Sequence, residues 1–531
     1  MHKYLFKIKG YLALSLILYC LETLLISVSL LFPGYLVDHY LEGSSTIKTL
    51  IICYTIFFFL NLLTCYFSNR VADYRRIKFE KYIKKDFFNA VIEKNYEDYH
   101  KYDIGEYLSM QANDITEMCQ NYLSPTLALY RSIIMIIVFG ISLVVFVDLS
   151  ITAVIILGSC LAVFIPQITA RELSKRNSTY LKNIGKYTSR IKTYLEAHDV
   201  LDKCSTTKIK CIHEKELDSI LADNMHFRKL NSFAMVLNGG AVDFVSVISF
   251  ATIALLLYSG DITMGMATSA FIYSTQFTEP IYQLNLNIGR IKAVKGIQNK
   301  LQDIIKEKAN SLVECLSIIE KIEVQNVTKK FGQVEIEIPN MEFVYPNKYL
   351  IIGDNGAGKS VLFRMLMGFY QPNTGIIEYD KLSGSGIDIR SLNEYVPQQS
   401  VIFEASYYDN VTIYGTYDDK DLMLYETYFP EELIQRIKEN IMSNNLSGGE
   451  KQVIGLLRAL CSKKSVLLLD EPFSAMNNVT IERFLSNIHN LKCMFIVIAH
   501  NINDYSDCFD DVYVVQGRNY NNKLNINSSV V

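Results

Sequence analysis

Residues 349–369 read YLIIGDNGAGKSVLFRMLMGF. An apolar strand-like run, Tyr349 to Gly353, leads into Gly353-Asp354-Asn355-Gly356-Ala357-Gly358-Lys359-Ser360, and Val361 opens an apolar helical run. This is the phosphate-loop pattern G-x4-GK[ST] in its required strand–loop–helix setting. Its glycines let successive backbone N–H groups wrap a phosphate, and the helix start adds the positive end of a dipole. Gly353 through Val361 are therefore candidate ATP-binding residues. Lys359 is placed to reach the β- and γ-phosphates, and the Ser360 hydroxyl to ligate Mg2+.

Downstream, SVLLLDEP sets Asp470 and Glu471 at the end of a buried strand. A carboxylate there can hold Mg2+ through water, and the next can act as base toward an attacking water. Between the two motifs stands Asn445-Leu446-Ser447-Gly448-Gly449-Glu450, small residues ahead of the helical run KQVIGLLRAL. From about Val313 onward, short β-branched runs (KIEVQNV, YLIIGDN, CMFIVIAHN) alternate with helical segments, which indicates an α/β domain on a largely parallel sheet.

Upstream the chain is different. Of 531 residues, 50% are hydrophobic and 20% charged, and the mean hydropathy is +0.15. That is too apolar for an ordinary water-soluble enzyme, where about 25% of residues are charged. A net charge of −3 makes sequence-wide attraction to nucleic acid unexpected. Eleven scattered cysteines without a CxxC pair fit reduced thiols. Six stretches approach the roughly 20 residues a membrane helix needs: about 11–32, 50–67, 132–147, 151–166, 233–258 and 264–286. The first is too long for a signal-peptide core and is expected to stay in the mature protein. Lys and Arg crowd the start and the segments 70–101 and 171–229, whereas 34–47, 148–150 and 259–263 contain neither. Both termini and two long helical loops are thus expected on the cytoplasmic side of the cell membrane.

The ordered set of phosphate loop, LSGGE and acidic strand end resembles the nucleotide-binding domain of ATP-binding cassette (ABC) proteins. With six spans ahead of one cassette, the whole chain resembles an exporter-type half-transporter. The implied fold is an α-helical transmembrane domain with long cytoplasmic helical extensions, followed by an α/β P-loop NTPase domain. The expected boundaries are 1–305, a linker over 306–316, a cassette over 317–518 and a tail over 519–531.

The resemblance also implies roles. Phe331, in KKFG, matches the aromatic that stacks on adenine. Gln398, in YVPQQ, matches the glutamine that contacts Mg2+, with Gln399 as the neighbouring rival. His500 matches the switch histidine at the γ-phosphate. Glu471, His500 and Gln398 form the catalytic set, with Ser360, Gln398 and Asp470 toward the metal. Family cassettes pair head to tail, so Ser447, Gly448 and Gly449 are expected to face ATP on a second half-transporter, either a second copy or a different chain. YDIGEYLSMQANDITEM resembles the first coupling region, with Asn113 and Asp114 near its tip, and TYLEAHDVL the second.

Three departures stand out. The D-loop reads Ser474-Ala475-Met476-Asn477 where SALD is usual. ENIMSNN stands where an acidic-glycine segment is expected, and the region between Gln398 and Leu446 is short. None removes a catalytic group, so an ATPase is expected. Charges within a membrane are costly and default to function. Glu22, Asp243, Gln276, Glu279 and Gln283 are therefore candidates for a cargo cavity. Three carboxylates there would favour a peptide or cationic amphiphile. A lipid flippase, a multidrug pump and, from another class, a non-transporting membrane ATPase stay open. The first span starts near Tyr11, so no N-terminal cysteine-protease domain is expected.

Overall fold

A computed structural model describes residues 1–39, 44–306, 318–332, 334–354, 356–380, 382–383, 389–443, 445–499 and 503–515. The chain divides into two compact units, Met1–Ile92 with Tyr102–Glu307, and Glu93–Lys101 with Lys308–Val531.

The first unit is helical. Its main helices are Lys9–Ser29, Ser44–Ile92, Ile104–Phe146, Leu149–Glu196, Lys203–Ser259 and Met264–Ala293. Each expected apolar stretch falls mainly within one of them. Among the described residues, four segments are long and apolar enough to cross a membrane: Lys9–His39, Thr46–Ile92, Ile104–Phe146 and Lys203–Ser259. Met264–Ala293 is long enough at 30 residues, but Gln276, Glu279, Gln283, Asn285 and Asn287 dilute its apolar character. In Leu149–Glu196 the apolar described portion is Leu149–Gly158.

Polar side chains fix the turns. The Asp148 carboxylate accepts from Ser150 N at 2.7 Å and starts the helix two residues after Phe146 ends the one before. Asp202 accepts from Ser205 N at 2.7 Å, while Ser205 Oγ accepts from Asp202 N at 2.9 Å, a capping box. At the other end of that helix Gly260 takes φ +80° and closes it, as a left-handed C-cap favours. The helices Leu149–Glu196 and Lys203–Ser259 have 48 and 57 residues. At about 1.5 Å per residue each far exceeds the roughly 30 Å of a bilayer core. The apolar centre joins two of these helices: the Phe139 ring of Ile104–Phe146 meets Tyr273 at 5.9 Å and Phe277 at 6.2 Å, both on Met264–Ala293.

One expectation shifts. Asn113 and Asp114 are not at a loop tip; they lie in a π-turn, Met110–Asp114, inside the long helix of the first unit. The reversal comes earlier, where Asn95 Oδ1 accepts from Asp98 N at 2.9 Å and starts the short helix Tyr96–Tyr99. It is this segment, Glu93–Lys101, that groups with the α/β unit.

The second unit contains β1 (Lys321–Phe331), β2 (Val334–Glu337), β3 (Met341–Val344), β4 (Lys348–Gly353), β5 (Thr374–Tyr379), β6 (Leu382–Ser383), β7 (Asn393–Val396), β8 (Val466–Asp470), β9 (Met494–Ile498) and β10 (Asp511–Val515). One sheet runs β10-β4-β9-β8-β7, parallel throughout. The other is antiparallel, β2-β1-β5-β6, with β3 also on β1. Every residue of β8 and β9 is buried, which is why both read as unbroken apolar runs. The helices Lys359–Leu366 and Gly448–Cys461 bury their apolar faces in the two cores flanking that sheet.

Candidate functional site

In an open parallel sheet, ligands bind beyond the carboxyl ends of the strands. The phosphate loop follows β4, Glu471 follows β8 and Gln398 follows β7. Because β7 pairs with β8 and β8 with β9, which in turn pairs with β4, these loops converge on one end of the sheet.

The loop after β4 is shaped by its glycines. Gly353 has φ +153°, and a Cβ there would fall 1.8 Å from the Val515 carbonyl oxygen of β10. Gly358 has φ +97°, a left-handed value that L side chains rarely adopt, right at the start of the helix Lys359–Leu366. Lys359 is 6% exposed. Its Nζ donates to the Gly353 and Asp354 carbonyls at 2.6 and 2.8 Å. Burial pushes its pKa down, against the pull of Glu471, Asp354 and Asp470.

Ser360 Oγ donates to Asp470 Oδ1 at 3.3 Å. A hydroxyl beside a carboxylate oxygen is a donor set suited to Mg2+, which usually takes one or two protein oxygens and fills its octahedron with water and phosphate. Burial raises the Asp470 pKa, while hydrogen bonds from Ser360 and Tyr395 act the other way.

Glu471 takes φ +49°, unusual for a residue with a side chain, and its amide donates to Ile498 O of β9 at 2.9 Å. Such conformations cost about 1–3 kcal/mol and gather at functional sites. Gln398 Nε2 donates to Glu471 Oε2 at 2.7 Å, so Gln398, not the adjacent Gln399, reaches the acidic pair.

Ser447 caps the helix Gly448–Cys461 in a reciprocal box. Its amide donates to Glu450 Oε2 at 2.8 Å, and the Glu450 amide to Ser447 Oγ at 3.3 Å. Arg436 Nε holds the other Glu450 oxygen at 2.6 Å. Although burial acts upward, these partners hold the Glu450 pKa below its usual value. Gly449 has no room for a side chain: a Cβ would sit 2.5 Å from Ala475 O. Asn477, where an aspartate is usual, caps the next helix by accepting from Thr480 N at 2.9 Å.

Phe331 ends β1, 39% exposed, with its ring edge-on to Tyr370 at 5.4 Å. Asn355 and His500 lie outside the described residues. Four residues escaped the sequence reading. Tyr395 donates to Asp470 Oδ2 at 3.1 Å. Gln452 Nε2 donates to Ser474 Oγ at 2.8 Å, and its Oε1 accepts from Ala475 N at 3.0 Å. Arg436 steadies Glu450, and Arg131 pairs with Glu22. A cue existed for the first two only: both lie within motifs quoted for their neighbours.

Among the candidate cargo residues, Glu22 is buried and its Oε1 accepts from Arg131 Nη2 at 2.7 Å. Its charge is compensated inside the helical unit by Arg131. Asp243, Gln276 and Glu279 are exposed, and Gln283 Nε2 donates to Glu279 Oε1 at 2.7 Å.

Comparison with known proteins adds the lineage. A family model described as ABC transporter transmembrane region matches residues 12–281, and one described as ABC transporter matches residues 336–474. The chain is 26% identical to an export ATP-binding/permease protein of Rickettsia typhi over 94% of this chain and 92% of that one. It is 27% identical to a lactococcin-A transport/processing ATP-binding protein of Lactococcus lactis over 50% of this chain and 39% of that one. A solved bacterial Atm1-family ABC exporter with ATP bound superposes with a TM-score of 0.77 at 18% identity, over 96% of this chain and 93% of that one.

Proposed function

Since the chain belongs to the ABC transporter family, matched over residues 12–281 by the transmembrane-region model and over 336–474 by the cassette model, we propose that its cargo is a peptide or cationic amphiphile, moved outward at the cost of ATP. It is a multi-pass membrane protein with an ATP-binding, ATP-hydrolysing cassette. The observation that carries the ATP-driven part of this reading is the placement of Lys359, Ser360, Asp470, Gln398 and Glu471 at one end of the parallel sheet.

In this proposal the domains are 1–305, a linker over 306–316, the cassette over 317–518 and a tail over 519–531. The cassette and both termini face the cytoplasm. Lys359 and the loop amides bind phosphate, and Phe331 stacks on the base. Ser360, Asp470 and Gln398 hold Mg2+, which neutralises phosphate charge when bound. Glu471 takes a proton from the attacking water, and His500 contacts the γ-phosphate. A second half-transporter, identical or different, supplies Ser447, Gly448 and Gly449 to the opposite ATP. Pairing closes on ATP, the cavity opens outward, and hydrolysis resets it.

A peptide-like cargo draws support from the likeness to the lactococcin transport protein and from the exposed Asp243 and Glu279. The internal pairing of Glu22 with Arg131 favours a second reading, a more neutral, hydrophobic cargo such as a lipid or drug. Proteoliposomes test both. ATP-dependent uptake of a cationic peptide, with stimulation of ATPase, supports the first; uptake of a neutral amphiphile alone supports the second. Hydrolysis without movement of either class would show a membrane ATPase that does not transport them.

A further inference from the structure

We propose that Tyr395 is a positioning residue that ties the placement of Asp470 to the docking of the Glu93–Lys101 segment on the cassette. The inference rests on the reading of Asp470 as a metal-side carboxylate.

Tyr395 stands on β7, in register with Leu468 of the neighbouring β8. Its hydroxyl crosses to the end of that strand and donates to Asp470 Oδ2 at 3.1 Å, leaving Oδ1 to Ser360. The carboxylate is 6% exposed, so protein groups, not water, set its rotation. Partners of this kind, outside the ligand shell but bonded to it, typically change metal affinity by about 10–100-fold when removed.

The same ring makes a second set of contacts. Its plane stands at 89° to Phe369, with centroids 6.1 Å apart. Phe369 in turn lies flat on Tyr96 of the short helix Tyr96–Tyr99, 4.5 Å away at 8°. Two guanidinium groups close the stack, Arg390 over Phe369 at 4.9 Å and Arg364 over Tyr96 at 6.0 Å. A phenol ring is stiff, so Tyr96 cannot leave Phe369 without altering the edge on which Tyr395 rests. The hydroxyl on Asp470 then moves with it. This connection runs beside the Gln398–Glu471 bond and does not pass through it. Since Glu93–Lys101 joins the helices Ser44–Ile92 and Ile104–Phe146 in the chain, movement of those helices reaches Asp470 through three aromatic rings.

The test is a Mg2+ titration of fluorescent-ATP binding to the full chain in lipid nanodiscs, with a parallel titration in EDTA. Tyr395→Phe should raise the Mg2+ concentration for half-maximal binding roughly tenfold and change binding in EDTA little by comparison. Tyr96→Ala should move the Mg2+ requirement in the same direction by roughly threefold. The Tyr395→Phe/Tyr96→Ala double variant should show no more than the Tyr395→Phe shift, and Tyr96→Phe, which keeps the stack, should restore the wild-type value. An unchanged requirement in Tyr395→Phe overturns the assignment, and so does a double variant whose shift is the product of the two. Should Tyr395→Phe fail to fold, Phe369→Leu reads the same link from its middle: an unshifted Mg2+ requirement there overturns it. If the wild-type chain shows no Mg2+-dependent nucleotide binding at all, the functional reading itself fails, which is a different outcome.

Discussion

Gln398 and Glu471, 73 positions apart, meet through a 2.7 Å bond from the amide nitrogen to the carboxylate. The glutamine lies on the loop after β7, the glutamate just past β8, and the parallel pairing of those strands makes the contact. A movement of the Gln398 loop therefore acts directly on the proposed base.

Glu471→Gln should bind ATP and lose turnover by at least about 100-fold, the usual scale of general-base catalysis. Gln398→Ala should lower turnover less, because the carboxylate remains. Phosphate release and retention of labelled nucleotide, measured together, check both. A Glu471→Gln variant that hydrolyses at the wild-type rate would remove the assigned base.

Glu450→Ala should destabilise the cassette by about 1 kcal/mol, since it deletes half of a reciprocal cap. Arg436→Ala should cost less, because that side chain is 60% exposed and its ion pair is screened. Melting temperatures in one detergent should therefore rank wild type, Arg436→Ala and Glu450→Ala in falling order.

Asn477→Asp is expected to keep the helix cap, as a carboxylate oxygen can accept from Thr480 N in place of the amide oxygen. It adds a negative charge beside the Gly449–Ala475 contact. Its thermal stability should match wild type while the Hill coefficient for ATP changes. Identical cooperativity would show that the missing carboxylate has no bearing on communication between the sites.

Glu22→Gln and Arg131→Ala should each lower the yield of folded protein, at a cost near 2 kcal/mol. Breaking a fully buried pair costs about 3–5 kcal/mol, but the Arg131 side chain is 42% exposed. Replacing both by leucine should recover most of the loss. If Glu22→Gln instead leaves yield intact and abolishes uptake of a cationic peptide alone, Glu22 belongs to the cargo path.

The legible parts of this molecule were those whose chemistry demands a local pattern. A phosphate loop needs glycines, a lysine and a hydroxyl at fixed spacing, so Gly353 to Ser360 announced β4 and the helix after it. A fully buried strand must be apolar throughout, and that exposed β8 and β9. Long apolar helices show by length, and even Met264–Ala293, diluted by Gln276 and Glu279, was legible as the stretch 264–286. Partners distant in sequence were not legible. Arg131 is 109 residues from Glu22, and Tyr395 is 75 from Asp470. The reversal at Asn95 was not legible either: resemblance to a coupling region pointed to Asn113 and Asp114, whereas the cap that starts the short helix is the bond from Asp98 N to Asn95 Oδ1.

The pairing of Glu22 with Arg131 also bears on how the polypeptide is made. Synthesis proceeds from the N-terminus, so the acidic group emerges and enters the bilayer long before its counter-ion has been translated. An isolated acid at mid-membrane costs roughly 2.5–3.5 kcal/mol on insertion scales. Ribosome-bound fragments ending before residue 131 carry that penalty unrelieved.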